Sequence, residues 1–311
     1  MIAPGCWSGP RAALRAGPTS SWSCPSARTA GRQSTAWECG NRPGFGRVSH
    51  GLYAGACMDL GLYLQRMGYR GPLRPTQETL RRLHLQHLEA LPFENLDVLG
   101  GRPLVLEEEA LFDKLVRGNR GGLGFELNGL FAALLRELGF QVTYLAARVS
   151  ASGEWPMAPG FAHLVLEVAL EEKWLVDVGF GEAFDEPLPL VPGRWPTAGR
   201  MFLLEPQGEE WVLAREEPDG SCPWLYTFSR EPRRWEDVVA LGRDYPPPGS
   251  PLRRELFCTR KTPRGRVTLR GERLLLSEEG HLVERWLGAA EEREQLLLSH
   301  FGLPSDGLGS R

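Results

Sequence analysis

Three short stretches carry the residue types from which acid–base or nucleophilic chemistry is built. His163 stands in the apolar run Phe161-Ala162-His163-Leu164-Val165-Leu166, and Asp177 stands in Trp174-Leu175-Val176-Asp177-Val178-Gly179. A carboxylate among apolar neighbours is costly to bury unless something pairs with it. If the two runs are adjacent strands, Asp177 can fix the tautomer of the His163 imidazole and stabilise its cation. Taken alone, a histidine in a strand is more often a satisfied core or edge residue.

The third stretch is Asn119-Arg120-Gly121-Gly122-Leu123-Gly124-Phe125-Glu126-Leu127-Asn128-Gly129. Glycines that lead into a helix let main-chain N–H groups face a ligand, and the helix dipole there favours negative charge. The plainer alternative is a glycine turn before a helix. No glycine loop followed by Lys and Ser/Thr occurs, which argues against nucleotide phosphate binding by that route. His84, His87 and Glu89 match no strong zinc spacing and share a helical stretch with core leucines, so no metal is expected there. Glu107-Glu108-Glu109 reads as the solvated first turn of a helix.

The elements that must position these residues change character along the chain. Residues 58 to about 140 are helical in pattern: Thr76 is a plausible N-cap before Leu80, Leu83, Leu88 and Leu91, and 106–117 form a second amphipathic stretch. The clearest helix follows the glycines at 121–122, with Leu127, Leu130, Phe131, Leu134, Leu135 and Leu138 on one face and Gly139 closing it. Beyond it, 142–149, 162–169 and 174–178 have the length and composition of strands. Met201–Leu204 and Trp211–Ala214 flank Gly208 as a hairpin, and Arg266–Leu269 with Leu274–Leu276 suggest another turning at Gly271. Pro246-Pro247-Pro248-Gly249 marks a linker, and a helix is expected near 289–299. The fold class is α+β: a helical domain over 58–143, a β domain over 144–245 and a small mixed domain over 246–311.

The first 57 residues are another kind of sequence, rich in Gly, Ser, Pro and Arg, with Glu38 as the only acid. They lack the apolar core of a secretory signal. The expectation is a disordered extension, or a stretch upstream of a true start at Met58; an organelle transit peptide is the alternative. Four of the six cysteines fall there (Cys6, Cys24, Cys39 and Cys57), leaving Cys222 and Cys258 in the body. A body so poor in cysteine fits a reducing cytoplasm. A net charge of −3 argues against a nucleic-acid partner. No apolar run approaches the roughly 20 residues of a membrane-spanning helix.

Residues 58 to about 303 resemble the arylamine N-acetyltransferase family. The resemblance is carried by Pro92-Phe93-Glu94-Asn95-Leu96, Arg120-Gly121-Gly122, His163, Asp177-Val178-Gly179-Phe180-Gly181 and Phe257-Cys258-Thr259-Arg260-Lys261-Thr262-Pro263-Arg264-Gly265. It implies a helical domain, a β-barrel domain and an α/β lid around a core akin to cysteine proteases and transglutaminases. It also implies acetyl-CoA as acyl donor, an arylamine or hydrazine as acceptor, and a Cys–His–Asp triad with His163 and Asp177 as two members. The cysteine belongs two residues after the second glycine, where a helix N-terminus and an imidazolium both depress a thiol pKa. This chain has Gly124 there, with Leu123 where the family usually has an aromatic residue. Cys258 falls on a family position that is not catalytic, and Pro246–Leu252, where the family's acceptor pocket is lined, lacks phenylalanine.

Three functions stay open at this point. The first is an acetyltransferase weakened or silenced in covalent transfer; the second is an acyl-CoA hydrolase in which His163 and Asp177 activate water; the third is a non-catalytic binder of CoA or arylamine. The sequence does not assign the residues that hold CoA.

Overall fold

The computed structural model describes residues 58–150 and 160–304, and the expected extension over 1–57, with its four cysteines, lies outside them. The described chain opens with α1 (Leu60–Arg66), α2 (Gln77–Ala90), a short strand β1 (Phe93–Glu94), α3 (Leu96–Leu99) and α4 (Glu108–Phe112), which runs on into one π turn to Arg117. α5 (Gly124–Glu137) follows, and then the strands β2 (Gln141–Val149), β3 (His163–Ala169), β4 (Lys173–Val176), β5 (Leu188–Pro189), β6 (Gly193–Thr197), β7 (Arg200–Gln207), β8 (Glu210–Glu216) and β9 (Trp224–Ser229). The chain closes with α6 (Trp235–Gly242), β10 (Phe257–Thr262), β11 (Gly265–Arg270), β12 (Arg273–Glu278), β13 (His281–Trp286) and α7 (Ala290–Leu296).

The strands form two antiparallel sheets, an eight-stranded one in the order β5-β4-β3-β2-β9-β8-β7-β6 and a five-stranded one in the order β1-β10-β11-β12-β13. In the larger sheet Leu145 and Ala147 of β2, Val165 of β3, Leu175 of β4, Leu188 of β5, Phe202 and Leu204 of β7, Leu213 of β8 and Tyr226 and Phe228 of β9 share one core. Strands so far apart in the order meet only if the sheet curls on itself, which makes it barrel-like although β5 and β6 do not pair. Alternate residues of β2–β4, among them Tyr144, Leu164, Leu166 and Val176, face a second core with α5. Burial on both faces explains why these strands read as almost continuous apolar runs. The fold is α+β with a core like that of the cysteine proteases.

Both hairpins turn where the sequence places them, with Gln207 opposite Glu210 and Arg270 opposite Arg273. Gly139 closes α5 with φ of +88°. Two placements differ from the sequence pattern. His163 is the first residue of β3, and Asp177 lies just past the end of β4, so neither sits mid-strand. The chain leaves the ladder at Val176, and that departure frees the Asp177 side chain to turn towards His163. β13 has no signal of a half-buried strand because all six of its residues are exposed.

Candidate active site

The site is built around the first turn of α5. Leu123 is the N-cap but has no side-chain acceptor, and Glu126 supplies half a capping box by accepting the Leu123 N–H at 2.8 Å. The other Glu126 oxygen takes Lys114 Nζ at 2.7 Å, and Lys114 also reaches Asp97 at 2.7 Å. Arg120 bridges Glu94 at 2.7 Å and Asp97 at 3.1 Å. Burial pushes the Glu126 carboxyl up, against the pull of Lys114. The glycines before the helix serve close packing: a Cβ on Gly121 would collide with the Pro92 carbonyl, and Glu94 N–H donates to Gly122 O at 3.0 Å. Asn95 then ties this corner to the segment before β10, donating to Leu252 O and Glu255 O and accepting from Phe257 N–H at 2.8 Å.

Gly124, His163 and Asp177 meet at the head of this helix. His163 Nε2 donates to Asp177 Oδ2 at 2.8 Å, with side-chain exposures of 5% and 0%. Asp177 Oδ1 accepts from Asn128 Nδ2 and from Gly179 N–H, each at 2.9 Å. Burial pushes the Asp177 carboxyl up, but the His163 imidazole and the hydrogen bonds from Asn128 and Gly179 outweigh it and hold the pKa below the ordinary value. His163 Nδ1 faces Gly124. An ideal Cβ on Gly124 would stand 2.6 Å from Nδ1 and 2.8 Å from Gly179 O. Gly124 has no positive φ, so its main chain suits any residue, but the space in which a side chain would begin is filled.

Aromatic rings wall the imidazole. Phe180 meets it edge-on at 5.4 Å, and Tyr226 lies tilted at 5.5 Å. The Tyr226 hydroxyl is fully buried and makes no aligned hydrogen bond. Burial and the adjacent Asp177 carboxylate push its pKa well up, so it stays a neutral phenol. At the start of α5, Tyr245 packs on Phe125 at 5.1 Å.

The expected pair is therefore together, and Gly124 is its neighbour. Asn128 and Tyr226 had been given no role. Asn128 was legible as a polar residue one turn after Gly124, amid the apolar stretch of α5; Tyr226 carries no local signal, because only the barrel brings β9 to β3. Cys258 is buried in the core of the smaller sheet, with its thiol pushed up by burial, and Cys222 lies between β8 and β9. Among the described residues no group of three or more His, Cys, Asp or Glu is placed to hold a metal ion. A cavity of about 280 Å³ lies instead beside Asp97, Lys114 and Glu126. Its charged side chains Asp97, Lys114 and Glu126 pair with one another.

A family model described as N-acetyltransferase matches residues 76–307. The arylamine N-acetyltransferase of Escherichia coli is 37% identical over 257 residues, covering 79% of this chain and 89% of that protein. That of Mycolicibacterium smegmatis is 36% identical over 264 residues, covering 82% and 95%. The solved structure of the Mycobacterium marinum arylamine N-acetyltransferase in complex with CoA has a TM-score of 0.75 at 34% identity, covering 81% of this chain and 95% of that one. By matched length, identity and fold, the chain belongs to the arylamine N-acetyltransferase family.

Proposed function

We propose that this protein keeps the acyl-transfer scaffold of its family, with acetyl-CoA as donor and an arylamine or hydrazine as acceptor, but has lost the covalent route. One observation carries the reading: the residue facing the imidazole of the His163–Asp177 pair is Gly124, and glycine offers no nucleophile. What remains is direct transfer. The acceptor nitrogen attacks the thioester carbonyl of bound acetyl-CoA, the C–S bond breaks, and the nitrogen's proton passes to His163 Nδ1 and on to the departing thiolate. Asp177 orients the ring and stabilises its cation. Without an acyl-enzyme intermediate the rate rests on positioning alone, so activity is weak or absent. The CoA-bound relative supports the choice of donor.

A hydrolase would need a water where the thiol would stand. Water and an amine would meet the same His163 Nδ1, so dependence on the acceptor is what separates the two readings. We keep the cytoplasm as the site of action on the low cysteine content of the body; among the described residues no helix is long and apolar enough to cross a membrane. The test is incubation with acetyl-CoA, with and without an arylamine. Slow acetylarylamine formation that needs both supports direct transfer. Thiol release without acceptor favours hydrolysis, and CoA binding with neither product favours a binding protein.

A further inference from the structure

His84 on α2 is fully buried, and both of its ring nitrogens face main-chain carbonyls: Nε2 lies 3.1 Å from Asp177 O and Nδ1 lies 3.1 Å from Asp185 O. Among the described residues neither carbonyl has another hydrogen-bond donor. The ring stacks on Phe184 at 5.7 Å and 12°, which fixes its plane. His84 thus spans the two ends of loop 177–185, which carries Asp177, Gly179 against Gly124, and Phe180 against His163.

The surrounding charge selects the tautomer. The Asp185 carboxylate is ringed by cations, with Lys261 at 3.2 Å, Arg200 at 3.3 Å and Arg266 at 3.4 Å. The Asp177 carboxylate pairs with no lysine or arginine among the described residues: it accepts from an imidazole, an amide and a main-chain N–H, beside the neutral Tyr226 phenol. A proton is favoured on the nitrogen beside the less compensated carboxylate, which is Nε2. Burial lowers the His84 pKa, consistent with a single ring proton near neutrality.

We propose that His84 is a positioning residue of the site: its Nε2–H donates to the Asp177 carbonyl and holds the loop that aims the Asp177 carboxylate at His163. The proposal rests on reading His163–Asp177 as the surviving half of a transferase site. Histidine tautomers are assigned from surroundings, so the test observes the proton directly.

In the ¹³C,¹⁵N-labelled full chain near neutral pH, His84 Nε2 should be protonated, Nδ1 bare, and a coupling across the hydrogen bond should link Nε2 to the Asp177 carbonyl carbon. Protonation at Nδ1 alone overturns the proposal. His84→Phe should then speed solvent exchange of the His163 ring N–H by about tenfold or more, through local opening of the loop. His87→Phe is the control, since His87 is equally buried on the same helix but meets the Tyr63 hydroxyl at 3.0 Å; it should stay within about twofold. His84→Gln, which keeps a donor, should restore slow exchange, and it replaces the comparison if His84→Phe does not fold. Equal effects of the residue 84 and 87 variants would reduce His84 to core packing. Free exchange of the His163 N–H in the parent would instead contradict the pair itself, and the role of His84 with it.

Discussion

The two halves of the site have fared differently. On the acid–base side both carboxylate oxygens of Asp177 accept hydrogen bonds, from His163, Asn128 and Gly179, and all of these groups are buried. On the nucleophile side Gly124 offers only main chain, and His163 with Gly179 O has closed over the place of a side chain. On the proposed reading, the difference teaches why a reactive atom would be easier to lose than its supports. A thiol at the head of α5 would hold nothing together, whereas Asp177 and Asn128 tie α5, β3 and the chain after β4 into one core.

The largest expected effect sharpens that contrast. Asp177→Ala leaves three buried donors without an acceptor and should cost about 3–5 kcal/mol in chemical denaturation. A loss under about 1 kcal/mol would mean that the acid–base side is as dispensable as the other. Lys114→Ala strands the buried Glu126 that caps α5, and should cost about 2–3 kcal/mol, less because Lys114 keeps 18% side-chain exposure. That loss should shrink in Lys114→Ala/Glu126→Gln, a double mutant that removes the stranded charge. Gly124→Ala tests the other half: overpacking against His163 and Gly179 should cost about 1–3 kcal/mol. A gain in stability, as helix propensity alone would give, would show the volume to be open.

The smallest effect is a pH dependence. Burial pushes the pKa of His87 well down, and that of His84 down as well. The unfolded chain binds these protons below about pH 6.5, before the folded protein does. Their contribution is therefore complete above that pH and falls away as the pH drops below it, by at most about 1.4 kcal/mol per pH unit for each histidine. Melting temperature followed from pH 8 towards pH 5 should decline less steeply in His87→Phe than in the parent.

Local pattern made α5, both hairpins and the His163–Asp177 pair legible, because each rests on periodicity or on a charge that burial would otherwise penalise. What the sequence concealed depends on long-range closure. Tyr226 joins His163 through the curl of the eight-stranded sheet, and the Gly121–Pro92 contact joins segments separated by all of α3 and α4. The apolar runs around Asp177 also masked where β4 ends, since they continue on both sides of Val176. The closed volume at Gly124 had no signal at all, because a glycine in sequence does not say whether its missing side chain leaves space.

The central claim, that the covalent route fails for want of a nucleophile at Gly124, is tested most directly by exposing the parent and Gly124→Cys to acetyl-CoA. Intact-protein mass and acetyl transfer to a simple arylamine are then followed together. For the variant the account predicts one added acetyl group on the new thiol, with His163 moved aside to admit it. Transfer by the variant should exceed that of the parent by about a thousandfold or more, because nucleophile and base act as a unit. An acetylated parent, or a parent that transfers as fast as Gly124→Cys, would contradict it.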